Sequence, residues 1–375
     1  MLVLASAALY LHPMLPGRPT PRPSAPALTS PIAARLQDFA VAAKVAWACL
    51  VPLPAGTGLL YASSDGGRTW RQLPFPSVRS GDYKLGLQLI DATHGVLQVL
   101  GGLYTTADGG RQWRAASLPQ GQRFAPGAHF LSPTQAWYQD LSAYPNQVEQ
   151  PTAMWWTSDG GISWSERWRV DARHPRWGDV PLEGAKYVLG FRDSSTGWLE
   201  VTQRTATSLG TASTLWMTSD GGRTWSPVNL PLHEAAAFTD LELPSDGSAI
   251  LVAKTGSGYL ALPSRSGGLT WEDAQPIPIF TTPDRGPNRV SFIDHDHWAT
   301  AGASLLQTTS DAGRTWRKVH ASLPAGVVAL VDVWLTGSGE GWATGDDGSG
   351  KLRVLRTTDG GADWSLSPVP YLARS

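Results

Sequence analysis

The octet Thr218-Ser219-Asp220-Gly221-Gly222-Arg223-Thr224-Trp225 decides the fold, because the chain repeats its pattern seven times. Each copy begins with Ser or Thr, holds a glycine three residues before its last position, and ends in tryptophan. The closing tryptophans are Trp70, Trp113, Trp164, Trp225, Trp271, Trp316 and Trp364. Six copies carry an aspartate at the third position, and these are Asp65, Asp108, Asp159, Asp220, Asp311 and Asp359. The fifth copy has Ser266 there instead.

The residues of the octet are typical of a tight hairpin. An aspartate carboxylate can accept hydrogen bonds from backbone N–H groups two or three residues further on, and the glycine pair supplies the positive φ that such a turn needs. The closing tryptophan begins the returning strand and is expected to bury its ring against the next unit. We therefore predict that the six aspartates are structural and not catalytic.

The spacing of the octets predicts the architecture. Successive closing tryptophans are 43, 51, 61, 46, 45 and 48 residues apart, which is the period of propeller blades or solenoid turns. Each repeat contains four short apolar runs, separated by polar or Gly-rich turns and without helical periodicity. We name the corresponding strands A to D in chain order, with the octet between C and D. The pattern predicts an all-β fold, a single seven-bladed β-propeller of four-stranded antiparallel blades, closed by packing rather than by strand exchange.

The octets resemble the signature of the BNR or Asp-box repeat family, S/T-x-D-x-G-x-T-W. That resemblance implies a hairpin at the rim of a β-propeller, distant from any active site. The wider pattern, from an F-x-D run through G-W to the octet, is similar over residues 33–370 to the photosystem II stability and assembly-factor family. Its members are seven-bladed, non-enzymatic scaffolds outside the cytoplasm, and they bind a partner through an arginine-rich face.

Composition excludes several classes of protein. The 30 basic and 31 acidic residues give a net charge of −1, so the basic field typical of nucleic-acid binders is absent. The single cysteine, Cys49, lies in an apolar run and can form neither an internal disulfide nor a cysteine metal site. No phosphate-binding loop, dinucleotide fingerprint or nucleophile elbow occurs, and we predict no cofactor.

The N-terminal region differs from the repeats. Residues 1–12 form a short apolar segment, below the roughly 20 residues that span a bilayer, and residues 13–31 contain seven prolines. We interpret the first segment as part of a signal or anchor helix and the second as an extended linker. A frayed apolar terminus is the alternative. The propeller is then expected over 32–375, outside the cytoplasm, secreted or tethered to a membrane.

Extra length between strands marks a candidate binding face. Insertions occur in the B–C loop of blade three (139–153), in the connection from blade three to blade four (165–186), and in the B–C loop of blade four (203–213). In an antiparallel A-B-C-D order the B–C and D–A connections share one face, opposite the octets. Insertions on one face of a repeat protein usually carry its binding function.

The connection between blades three and four has the composition of an interface hot spot, with tryptophan and arginine together. The alternative is a solvated loop whose tryptophans rest against the blade edge. The candidate binding residues are Trp168, Arg169, Asp171, Arg173, His174, Arg176, Trp177, Tyr138 and Asp140. Four further arginines in D–A connections are expected to make this face cationic, and these are Arg79, Arg123, Arg285 and Arg289.

Two chemical alternatives compete with a binding role. Sialidases share the octet, but their early Phe-Arg-Ile-Pro motif is missing, since the first A strand reads Ala34-Arg35-Leu36-Gln37-Asp38-Phe39. Glycosidase chemistry at the central channel would need a pair of carboxylates. The candidates are Asp140, Asp171, Asp179 and Glu183, and the sequence does not single out any two of them as a catalytic pair. The run Asp294-His295-Asp296-His297 has residue types that could bind zinc. Its position in the sixth repeat instead predicts a polar turn between strands A and B, and we predict no metal site.

The sequence therefore favours a non-catalytic scaffold that binds a protein or a glycan through the insertion-bearing face. A sialidase-type or other glycoside hydrolase is the alternative.

Overall fold

The computed structural model describes residues 34–42, 44–52, 58–76, 86–99, 102–119, 128–140, 151–174, 176–177, 180–204, 211–234, 236–278, 281–282, 286–287, 290–302, 304–349 and 351–370. Segments 1–12 and 13–31, predicted as anchor and linker, lie outside these residues. Within the described residues, every regular element is a β-strand, and no helix is long and apolar enough to cross a membrane.

The first four blades each contain four consecutive strands in the order A-B-C-D. Blade one contains Ala34–Ala42, Val45–Pro52, Leu59–Ser63 and Arg71–Leu73. Blade two contains Gly86–Leu89, Gly95–Val99, Gly102–Thr106 and Arg114–Ala116. Blade three contains Ala128–Phe130, Ala136–Asp140, Thr152–Thr157 and Ser165–Val170. Blade four contains Ala185–Phe191, Gly197–Arg204, Thr211–Thr218 and Ser226–Val228.

The last three blades have the same arrangement of four strands. Two additional small hairpins lie in D–A connections, one between blades three and four and one between blades five and six. Blade five contains Ala236–Glu242, Ala249–Thr255, Tyr259–Ser264 and Gln275–Ile277. Blade six contains Val290–Phe292, Trp298–Gly302, Leu305–Thr309 and Arg317–His320. Blade seven contains Ala329–Leu335, Gly341–Asp346, Leu352–Thr357 and Ser365–Leu366. The small hairpins pair Arg176–Trp177 with Val180–Pro181, and Thr281–Thr282 with Gly286–Pro287. The predicted seven-bladed propeller is confirmed.

The core lies between blades rather than within them. The buried apolar side chains of the described residues form seven clusters, one at each junction between neighbouring blades. The A strands contact one another between blades one and two, four and five, and six and seven, which places them on the inner side of the ring. Each sheet is too small to bury its own faces, and the apolar residues of its strands are therefore covered by the adjacent sheets.

Polar side chains also join the inner strands of successive blades. Gln139 of blade three donates from Nε2 to the Lys186 carbonyl at 2.6 Å and accepts the Val188 N–H at 2.8 Å, both in blade four. In the same way, Glu200 of blade four accepts the Phe238 N–H of blade five at 2.9 Å. Because these groups are buried, each bond satisfies a backbone atom that would otherwise be costly to desolvate.

Each octet folds as the predicted C–D hairpin at the outer edge of its blade. In the fourth octet, the Thr218 hydroxyl donates to Asp220 Oδ1 at 2.8 Å and accepts the Gly222 N–H at 2.9 Å. Asp220 Oδ1 also accepts the Arg223 and Thr224 N–H groups, both at 2.9 Å. The aspartate is therefore occupied in holding its own turn, as predicted.

The octet tryptophan packs on the preceding blade and not on the following one. The Trp113 indole N–H of blade two donates to the Pro74 carbonyl of blade one at 3.0 Å, and its ring lies edge-on to Trp47 with centroids 5.6 Å apart. The expected direction of packing was therefore wrong. The octet tryptophan thus points back to the preceding blade of the ring, which for Trp70 of blade one is blade seven.

The ring is closed by side-chain packing, as the sequence predicts. Blade seven and blade one each contain four consecutive strands, and among the strands that the structure describes neither blade contributes one to the other. Across the junction, the Trp70 indole N–H donates to Ser367 Oγ at 2.8 Å, and the Ser367 hydroxyl donates to the Gly67 carbonyl at 2.7 Å. Phe39 of blade one and Trp342 of blade seven belong to the same buried apolar cluster at this junction.

Candidate functional site

The three insertions lie at the same end of blades three and four. The B–C loop of blade three runs between Asp140 and Thr152, and that of blade four between Arg204 and Thr211. The connection from blade three to blade four runs from Val170 to Ala185 at that end. The A–B turns lie at the opposite end with the octets, as the bond from the Gly221 N–H to the Ser195 carbonyl at 2.8 Å demonstrates. Residues 141–150 and 205–210 lie outside the described part of the chain.

The connection begins with a turn that is held by a carboxylate. Asp171 and His174 exchange two backbone hydrogen bonds, each 3.0 Å long. Asp171 Oδ1 accepts the N–H groups of Arg173 and His174 at 2.9 Å and contacts His174 Nδ1 at 3.0 Å. Burial acts to raise the pKa of Asp171, but the hydrogen bonds from His174 and Arg173 outweigh it and leave this pKa below its ordinary value. The turn is therefore stabilised by an ionised side chain.

A buried lysine holds the far end of the connection. The Lys186 ammonium donates to the Leu182 carbonyl at 2.6 Å, to that of Gly184 at 2.8 Å and to that of Glu183 at 3.3 Å. Burial lowers the pKa of Lys186 to about 8, and the charge of Glu183 opposes this shift. A cation that is fully removed from solvent and bonded to successive carbonyls fixes the path of the backbone that it binds.

Apolar contacts anchor the connection to the blades below. Val180 and Leu182 are buried in the same cluster as Trp168, which lies edge-on to Trp225 of blade four with ring centroids 6.4 Å apart. Together with Asp171 at one end and Lys186 at the other, these contacts hold the described parts of the connection in place. We call these parts, residues 171–174, 176–177 and 180–185, the platform.

Charge on the platform is partly compensated. The Arg169 guanidinium is paired with Glu166, with Nε 3.0 Å from Oε1, and lies 3.8 Å from Asp171 Oδ2. The hydrogen bond with Glu166 raises the pKa of Arg169. Arg173 and His174 are exposed at the turn. Among the described residues of the Asp171 turn, these two polar side chains are therefore the ones open to a partner.

The structure separates the predicted binding residues into two groups. Asp171, Arg173 and His174 lie together on the platform next to Arg169, and Arg176 and Trp177 form one strand of its small hairpin. Tyr138, Trp168 and Asp140 were wrongly assigned to the contact surface, because their exposed fractions are 2%, 1% and 7%. Trp168 instead fills the junction between blades three and four, as the alternative interpretation of the connection expected for its tryptophans.

Some expectations fall on residues outside the described ranges. Arg79, Arg123, Arg285 and Arg289, which were expected to make this face cationic, are all among them, as is Asp179. Lys186 is the residue that the sequence interpretation missed. Its position two residues before Val188 in a strand places it on the buried side, and a lysine at such a position signals a cation with internal partners.

The run Asp294-His295-Asp296-His297 forms the predicted A–B turn of blade six. Asp294 Oδ1 accepts the N–H groups of Asp296 and His297 at 2.9 and 2.8 Å. His295 is buried between Glu272 and Asp296, with each ring nitrogen 2.9 Å from a carboxylate oxygen. Over the residues that can be described, no group of three or more His, Cys, Asp or Glu side chains is placed to hold a metal ion.

Comparison with known proteins gives matches among solved structures only. No family model and no curated protein matches the chain. A structure of YCF48 bound to a D1 peptide is 17% identical, with 88% of this chain and 95% of that chain covered and a TM-score of 0.52. YCF48 from Cyanidioschyzon merolae is 19% identical, with 88% and 97% covered and a TM-score of 0.51.

Enzymes share the same architecture. Oligogalacturonate lyase from Vibrio parahaemolyticus is 10% identical, with 87% of this chain and 90% of that chain covered and a TM-score of 0.58. At these identities the likeness concerns the fold and not the function. The chain is therefore similar in fold both to a protein that binds a peptide and to an enzyme, and it is a seven-bladed β-propeller.

Proposed function

We propose that this chain is a non-catalytic scaffold that binds a protein partner through the loop face of blades three and four. The observation that carries the proposal is the platform between these blades, at the end where the strands that flank the three insertions terminate. The Asp171 turn, the buried Val180 and Leu182, and the Lys186 ammonium hold the platform in place. A preformed surface binds with a smaller loss of conformational freedom than a loop that must become ordered.

The chemistry of the platform favours a partner with acidic or hydrogen-bond-accepting groups. Arg173 and His174 are exposed, whereas the Arg169 charge is balanced by Glu166 and Asp171. Exposed arginine is common at the energetic centre of protein interfaces. A glycan is the second class of partner that these side chains could bind, since both donate hydrogen bonds to oxygen.

Two of the four candidate carboxylates do not favour an enzyme. Asp171 is engaged by the backbone of its own turn, and Asp140 is buried. We further propose that the BNR-type octets are structural, and that the propeller works outside the cytoplasm, secreted or tethered through residues 1–31. The support for this location is the apolar and proline-rich composition of that region.

Site-specific photocrosslinking tests the binding face. A benzophenone amino acid would replace Arg173 on the platform, or Lys318 on the outer strand of blade six as a matched exposed position, in the full-length protein expressed in its source cells. We expect one protein to be captured from position 173 and not from position 318. Equal capture at both positions would contradict the assignment of the face.

Affinity measurements with the purified partner complete the test. R173E should weaken binding at least about tenfold, because it reverses a charge at the contact, whereas K318E should leave the affinity unchanged. Loss of capture after periodate oxidation of the partner would make the ligand a glycan. Turnover of a fluorogenic sialoside or of oligogalacturonate by the wild-type protein would contradict the non-catalytic role.

A further inference from the structure

A second site lies on the opposite face, between blades six and seven. There the A–B turns and octets of the two blades line a cavity of about 470 Å³ that is open to solvent. Ile293 and Leu335, both partly exposed, supply apolar surface, while His297, Thr308 and Arg317 supply polar groups. Cavities of roughly 300–1,000 Å³ that combine apolar walls with a few convergent polar groups are typical of small-molecule sites.

Three octets provide an internal comparison, because an arginine directly follows the closing tryptophan in blades one, two and six. Arg71 donates from Nη2 to the Gly109 carbonyl of the next octet at 3.1 Å. Arg114 donates to the Gly160 carbonyl of the next octet at 3.2 Å. At two junctions, then, this arginine spans the groove between neighbouring octets and fills it.

Arg317 occupies the same position in its repeat, directly after the closing tryptophan, but it does not donate a hydrogen bond to the next octet. Its partner would be the carbonyl of Gly360, the residue of octet seven that corresponds to Gly109 and Gly160. A side-chain carbon placed at Gly160 would lie 3.4 Å from Arg114 Nη2, whereas one placed at Gly360 would have nothing within 4 Å. The space that an arginine fills elsewhere is thus open between blades six and seven.

The polar groups at this cavity retain unused donors. Arg317 is exposed, and its guanidinium has no hydrogen bond or ion pair with any residue in the described ranges. His297 Nδ1 lies 2.9 Å from Asp294, which orients the ring and leaves Nε2 without a partner among those residues. A guanidinium presents parallel N–H groups that match a carboxylate.

We propose that this cavity binds a small molecule that carries one carboxylate beside an apolar group. The carboxylate pairs with Arg317, and the apolar group lies against Ile293 and Leu335. A single guanidinium, with Asp294 close to His297, balances one negative charge and not two, so a monoanion fits better than a phosphate dianion. This site is independent of the protein-binding face.

Saturation-transfer difference NMR on the full-length protein tests the proposal with N-acetylphenylalanine, which has these two features. Its neutral amide, N-acetylphenylalaninamide, is the control ligand. R317Q is the test variant, and R71Q is the matched control, because Arg71 occupies the same column but is engaged. We expect the acid to bind the wild type and R71Q, and R317Q to weaken binding at least about tenfold.

Thermal unfolding distinguishes a ligand site from a structural contact. R317Q should keep the Tm of the wild type because Arg317 makes no internal bond, whereas R71Q should lower the Tm by losing its bond to Gly109. Equal binding of the acid and the amide, unchanged binding of the acid to R317Q, or absence of saturation transfer in the wild type would overturn the proposal.

Discussion

Replacing Gly67 with alanine should loosen the junction between the first and last blades. Gly67 has a φ of +78°, and a Cβ atom added there would lie 2.5 Å from the Trp342 ring and 2.6 Å from Ser367 Oγ, both in blade seven. Its neighbour Gly66 has a φ of +71°, but a Cβ atom there would meet only Arg68 Nη1, at 3.7 Å. The two glycines differ in packing and not in backbone conformation.

The magnitudes follow from this difference. Both substitutions place a side chain in the left-handed region, which costs about 1–2 kcal/mol. Only G67A also overpacks the junction, which adds about 1–3 kcal/mol since neither the Trp342 ring nor the blade backbone can move freely. The free energy of unfolding should therefore fall by about 1–2 kcal/mol in G66A and by about 2–5 kcal/mol in G67A.

Urea unfolding followed by tryptophan fluorescence and far-UV circular dichroism measures both variants. The midpoint should fall further for G67A, with an unchanged dependence on urea concentration if the ring still unfolds as one unit. Equal losses of stability in G66A and G67A would refute the packing of blade seven on the first octet, and with it our account of how the ring is closed.

Three further predictions concern the octets. T218V should lower the free energy of unfolding by about 2–3 kcal/mol in urea titrations, because it leaves the buried Gly222 N–H without an acceptor and removes a bond to a carboxylate; no loss would contradict the role of the hydroxyl. S266D should raise it by about 1 kcal/mol, because a carboxylate would replace the single Ser266 hydroxyl that now accepts the Thr270 N–H, and a decrease would show that this hairpin has diverged. Hydrogen bonds from Thr69 and Thr315 lower the pKa values of Asp65 and Asp311 to about 2, from an ordinary 3.8. Their stabilisation should therefore be complete above pH 4 and be lost as the pH falls towards 2, and a urea midpoint that stays constant over this range would contradict it.

The fold could be predicted because the information about it is local and repeated. A hydroxyl, an aspartate, two glycines and a tryptophan specify one hairpin, and seven copies at blade spacing specify the ring. The direction of tryptophan packing could not be predicted in this way. Trp113 could meet either neighbouring blade, and only the twist of the assembled sheets decides that it meets blade one.

The site was predictable in position but not in its individual contacts. Insertion lengths located the face, because strand order fixes which connections share an end. Trp168 has the residue type of an interface hot spot, yet blade four covers it, and this burial depends on a surface more than 50 residues away in the chain at Trp225. Arg317 could not be distinguished from Arg71 and Arg114 by sequence, since the three share a column and differ only in what their guanidinium groups reach.

Each blade is built from four strands that are consecutive in the chain, and this has a consequence for protein engineering. Since the junction between blades seven and one uses the same kind of contact as the other six, the polypeptide could be reopened between any two blades after its ends are joined by a linker. Circular permutants cut in the D–A connections should recover the native topology, and whole blades could be exchanged as modules without redesigning a shared sheet.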